Sequence, residues 1–110
     1  MKKKEELVRR FHLECKKNFQ DVSELAVMQS GTIAFLFIHN DQEFLVKSTA
    51  EMYSAEDEIV ISETTVVMGN IICKLTPDGE IEYARNDSSV ADIIKSIMEN
   101  LKEENKNEND

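Results

Sequence analysis

Apolar and polar residues alternate along this chain in three regimes. Between Lys3 and about Asn18, Leu7, Phe11 and Cys15 recur every fourth position, with Val8 beside Leu7 and Phe19 continuing the stripe. That spacing lines one face of a helix, and the basic residues mostly fill the other. Glu5–Arg9 and Glu6–Arg10 stand at i,i+4 in the favourable order. From Leu25 to Ala84 the pattern turns to short crowded or alternating runs rich in β-branched and aromatic residues, the mark of strands. From Val90, the series Val90, Ile93, Ile94, Ile97, Met98 and Leu101 restores a 3-4 spacing and predicts a second helix.

The longest apolar run, Thr32 to Ile38, is too short to cross a membrane as a helix, which needs ~20 residues. It reads as a strand buried on both faces near the middle of a sheet. Leu25 to Gln29 pairs with it through a Ser30-Gly31 turn, after a break near Asp21. His39 to Gln42 is a turn by composition. Glu43 to Ser48 forms the next strand, with Phe44 and Val46 facing one way and Glu43, Leu45 and Lys47 the other. Thr49 to Glu58 has no clean period and reads as a loop, with room for one helical turn at Ala50–Tyr53.

A β-rich region then runs from Ile59 to Leu75. Gly69-Asn70 suits a type II′ hairpin between Thr64–Met68 and Ile71–Leu75. Thr76-Pro77-Asp78-Gly79 is a further turn, and Glu80 to Ala84 alternates as an edge strand. Ser89 with Asp92 resembles a capping box opening the last helix. The resulting architecture is α+β and two-layered. An antiparallel meander of five or six strands is flanked by the N-terminal and C-terminal helices. Residues 1–101 form a single domain, and 102–110 are expected as a disordered charged tail, since nothing apolar remains there.

Composition changes this picture in one respect. The net charge of -9 is unevenly spread. Residues 1–17 carry seven basic and three acidic groups, a net of +4; the rest carries six basic and nineteen acidic groups, a net of -13. Between Asp41 and Glu63 there are seven acids and a single lysine. Such a surface repels nucleic-acid backbones and attracts basic protein surfaces. The segment Met1–Glu6 has lysines but no apolar run after it, so no secretory signal and no membrane span are expected. Cys15 and Cys73 are the only cysteines and read as reduced and buried, which places the chain in the cytoplasm.

Catalytic chemistry has little support. His12 and Cys15 lie at i,i+3, but no spacing brings Cys73 or His39 to them, and no CxxC or HxxxH occurs. The three glycines are isolated, so no phosphate-binding loop exists. Glu56-Asp57-Glu58 is a run of adjacent acids, whereas acid–base work needs two carboxylates in contrasting environments. The chain therefore reads as a non-enzyme with no cofactor and no metal.

The function expected is a small acidic protein-binding module. In its sharpest form it is a mobile-element-encoded inhibitor that mimics nucleic acid and blocks a nucleic-acid-handling enzyme with a carboxylate-rich face. The partner is a protein with a basic surface. The partner-binding residues are Asp41, Glu43, Glu51, Glu56, Asp57, Glu58, Glu63, Glu80 and Glu82. Two alternatives stand beside it. One is a homodimeric adaptor or secretion-type chaperone, using the sheet or first helix as interface. The other is a small-ligand sensor with a pocket between sheet and helices.

Overall fold

The computed structural model describes the backbone of residues 3–53 and 58–109 and the side chains of residues 7–49 and 63–103. The chain runs α1 (Lys3–Asn18), β1 (Ala26–Val27), β2 (Ile33–His39), β3 (Gln42–Tyr53), β4 (Glu58–Met68), β5 (Asn70–Leu75), β6 (Ile81–Ala84) and α2 (Ser89–Asn109). The six strands follow one another in space in their order along the chain, each antiparallel to the next. The α+β meander expected from the pattern is the fold observed.

Among the described residues, the two helices cover one face of the sheet and leave the centre of the other exposed. Phe35 and Phe37 of β2, Phe44 and Val46 of β3, Val66 of β4, and Cys73 and Leu75 of β5 are buried in one cluster. The same cluster holds Phe11 and Cys15 of α1 and Val90, Ala91, Ile94, Ile97, Met98 and Leu101 of α2. Both helical stripes therefore lie on this inner face, with Ile33 joining Val8 in a satellite cluster. Phe19, just past α1, stacks on Phe37 at a centroid distance of 4.0 Å, and Phe37 stacks on Phe44 at 5.2 Å. This ladder ties the end of α1 to β2 and β3. The shortest axis of the molecule is 23 Å, the thickness of one sheet plus one helical layer.

The connections after α1 and after β2 fall where the sequence placed them, whereas those between β1 and β2 and between β4 and β5 differ in form. α1 ends at Asn18 and the chain reverses at Asp21, which has φ of +50°. Gln20 and Ser23 then pair their backbones with Ile38 and Leu36, so the connection itself guards the edge of β2. β1 is accordingly only two residues long, and the loop to β2 is closed by Met28 and Thr32 rather than by a two-residue Ser30-Gly31 turn. Asn40 and Asp41 both have positive φ (52° and 62°), the conformation of a type I′ hairpin, which suits the twist of the flanking strands. Gly69 alone links β4 to β5, since Met68 pairs with Asn70 and the extra residue is absorbed at Ile72. The type II′ assignment is corrected on that register.

The largest departure is Thr49–Glu58. The expected loop is mostly strand: β3 continues to Tyr53 and β4 begins at Glu58, paired through Ala50↔Ile61, Glu51↔Val60, Met52↔Ile59 and Tyr53↔Glu58. Ala, Glu and Met favour helix, but β-branched partners across the ladder override that preference. A register shift after Thr49 also disguises the alternation. Glu56 and Asp57 lie outside the described residues.

The turn Thr76–Gly79 folds against the helices. A Cβ on Gly79 would stand 3.3 Å from Leu7 Cδ2, and φ there is +89°. Only glycine meets both demands. Ser88, rather than Ser89, caps α2: its Oγ accepts from the Ala91 backbone N–H at 3.2 Å. α2 keeps helical backbone through Asn109, past the last apolar residue of its stripe at Leu101.

Candidate interaction surface

The helix-free face of the sheet is read from the register. Leu36 pairs with Leu45, Leu45 with Val67, and Val67 with Ile71, forming one apolar row across β2, β3, β4 and β5. Their neighbours on each strand, Phe35, Phe37, Val46 and Val66, are buried on the opposite face, so this row points away from both helices. Leu36 and Leu45 are each 36% exposed and Ile71 39%. The apolar run Thr32–Ile38, expected to be covered on both faces, is covered on its inner face and, at Ala34, on part of its outer one, while Leu36 stands exposed. Its outward Leu36 was hidden by the unbroken hydrophobicity of the run, whereas Leu45, between Glu43 and Lys47, was legible as outward.

Charged residues flank the row. On one side Ile38 pairs with Glu43. On the other lies a second row, Ala34–Lys47–Thr65–Lys74–Tyr83, followed by Thr49–Glu63. The face therefore has an apolar centre with lysines on one flank and carboxylates outside them.

Five of the nine acids expected to bind a partner have described side chains, and these lie at several places on the sheet and its turns. Asp41 is exposed at the β2–β3 hairpin, Glu43 is exposed on the outer face, and Glu63 is half-buried there. Lys47 stands between the last two along β3 and β4. Glu80 precedes β6 and accepts from Lys102 Nζ of α2 at 2.6 Å. Glu82 is exposed where β6 carries one residue more than β5. Glu51 and Glu58 have strand backbone, but their side chains, like all of Glu56 and Asp57, lie outside the described residues.

No protein-family model, no curated protein and no solved structure matches this chain.

The groups considered for chemistry are placed as follows. Cys15 and Cys73 are free thiols in the core. Burial pushes Cys15 far above its ordinary range, helped by the nearby Glu14 charge. Burial likewise raises Cys73 to about 11, with Lys95 acting weakly in the opposite direction. A thiol held protonated is a poor nucleophile and a poor metal ligand. His12 is buried and its Nε2–H donates to the Ser23 carbonyl at 2.7 Å, while its ring meets Phe35 edge-on at 4.6 Å. It anchors the connection after α1. Among the described residues, no three His, Cys, Asp or Glu side chains gather as a metal site would require.

A cavity of about 180 Å³ opens beside the N-terminus of α2, lined by residues that include His39, Phe44, Met68, Arg85 and Ser89. Several of its polar groups already have partners within the chain. His39 Nε2 and Ser89 Oγ are 3.1 Å apart, and Arg85 donates twice to Asp87 at 3.0 Å. That exposed pair holds the Asp87 carboxyl below its ordinary pKa through the hydrogen bond and the charge of Arg85. The cavity falls short of the ~300 Å³ at which drug-sized ligand pockets begin.

Proposed function

We propose that this chain is a non-enzymatic protein-binding module that docks through the helix-free face of its sheet. The observation that carries this reading is the row Leu36–Leu45–Val67–Ile71, apolar and uncovered at the centre of that face. A sheet face that meets only water is ordinarily polar at alternate positions. Contiguous apolar surface rimmed by polar residues is a mark of interaction sites. Removing such a row from water gives affinity, and the surrounding charges give orientation.

The sharper reading, an acidic inhibitor seated in a basic groove of a nucleic-acid-handling enzyme, draws on the net charge of -9. Lys47 and Lys74 beside the row, and the neutralisation of Glu80 by Lys102, favour apolar contact over carboxylates as the main source of affinity. We place the module in the cytoplasm, a reading supported by two buried free thiols. Among the described residues no helix is long and apolar enough to cross a membrane.

The test compares the wild-type chain with Leu45→Glu and with Glu99→Lys, an exposed change on α2. Each is used to capture partners from native-host lysate, with circular dichroism confirming the fold. Proteins lost with Leu45→Glu but retained with Glu99→Lys support docking through the sheet. An identical captured set for all three removes the reading.

A further inference from the structure

We infer that the occupant this face fits is a second copy of the same chain, placed by a two-fold axis along the apolar row. The inference rests on the docking reading above and adds the identity of the partner. Glu43 and Lys47 lie on β3 two residues to either side of Leu45, and all three share the outer face. A two-fold axis laid across the strands, along Leu36–Leu45–Val67–Ile71, exchanges the two flanks. Each copy's Glu43 then meets the partner's Lys47, twice per dimer, while the apolar row stacks on its own image. An isologous interface requires this kind of self-complementarity.

The alternatives fit less well. A two-fold axis laid along β3 sets Glu43 against Glu43 and Lys47 against Lys47, which repel. A uniformly basic partner meets Lys47 and Lys74 directly beside the apolar centre. A uniformly acidic one meets Glu43 and Glu63 and a net charge of -9. Only a partner carrying both signs in the reverse order complements the face, and a rotated copy supplies it. Sheets packed in this way lie ~10 Å apart, a gap that glutamate and lysine side chains bridge together.

Four strands at ~4.8 Å spacing give a face roughly 20 Å wide, and Glu43 to Lys47 run ~14 Å along β3, so the apolar centre with its charged flanks is smaller than a standard specific interface. The dimer is therefore reversible and concentration-dependent.

Sedimentation velocity over a concentration series tests this with the full chain, Glu43→Lys, Lys47→Glu, the double variant, and Leu45→Glu. Thermal melts verify the fold of each. The wild type should dimerise, and each single reversal should weaken association about three- to tenfold. The double variant should recover. A mixture of the two single variants should form a heterodimer tighter than either homodimer, a result that loss of folding cannot produce. Leu45→Glu should leave a monomer. A wild type that stays monomeric to millimolar concentration, or a dimer indifferent to all these changes, overturns the inference. A monomer that still captures another protein through Leu45 leaves the docking reading intact and removes only the self-association; a monomer without such capture removes both.

Discussion

Inside the core, two hydroxyls satisfy each other. Ser48 and Thr64 face each other across β3 and β4, both buried, with Oγ and Oγ1 2.8 Å apart. Either partner alone would be an unsatisfied polar group away from water, which costs ~1–3 kcal/mol. Ser48→Ala should therefore lower the unfolding free energy by about that amount in urea titrations. Combining it with Thr64→Val should recover part of the loss, because no orphan hydroxyl then remains. The helical stripes were legible residue by residue, since each lies at the spacing that its partner face demands. The Ser48–Thr64 pair was not: its two members are sixteen positions apart, and only the β3–β4 register brings them together. The buried thiols carry a second expectation. An unfolded cysteine ionises near ~8.5, whereas burial raises Cys73 to about 11 in the folded state. Between those values the unfolded chain holds fewer protons than the folded one, so stability falls as pH rises. The contribution is whole below the unfolded value and drains away above it. Thermal midpoints measured from pH 7 to about 10 should decline at the alkaline end, and less steeply in Cys73→Ala.

Elements were legible wherever local pattern and long-range partners agreed. α1 emerged with the bounds its periodicity implied, and the meander followed from turns placed between short apolar runs. β3 and β4 failed where the two disagreed. Thr49–Tyr53 has helix-favouring residues, no period and a bulge, and its strand character comes from Glu58–Ile61 across the ladder. Hairpin chemistry was half-legible. Asn40-Asp41 announced a turn, but the left-handed geometry of both residues is set by the tight pairing of His39 with Gln42. At the start of α2 the sequence pointed to Ser89, and a one-residue difference separated that assignment from the geometry. Ser88→Ala should lower stability by ~1 kcal/mol, because it removes the acceptor for the Ala91 N–H. Ser89→Ala should cost less, since its hydroxyl faces His39 instead. A pair of thermal melts separates the two, and equal losses would mean that the cap is shared.

At the scale of the whole molecule, the question is how a charge of -9 is borne by so small a body. The strongly biased halves of the sequence suggested one negative surface, because a sequence shows charge along the chain and not around the fold. Folding mixes it: a basic α1 lies against the sheet and α2, Lys102 reaches Glu80, and Lys47 and Lys74 interrupt the outer face. Two electrostatic effects then oppose each other. Attraction between α1 and the acidic remainder stabilises the fold, whereas repulsion among the surplus carboxylates destabilises it. The opposite-charge pairs described, Lys17–Glu14, Lys16–Glu24, Arg85–Asp87 and Lys102–Glu80, span 2.6 to 3.9 Å but sit at the surface. Such pairs contribute little each. Repulsion among the excess acids acts over longer distances and opposes compaction. Raising salt from about 0.01 M to about 0.15 M shortens the screening length from ~30 Å to ~8 Å and so weakens the long-range repulsion more than the close pairs. The thermal midpoint of a dilute, monomeric sample at neutral pH should therefore rise with salt, by a few degrees on the order expected for ~1 kcal/mol in a chain of this size. A midpoint that falls instead would mean that attraction between α1 and the sheet dominates. Charge reversal at exposed Lys16 would then be more damaging than at exposed Lys102.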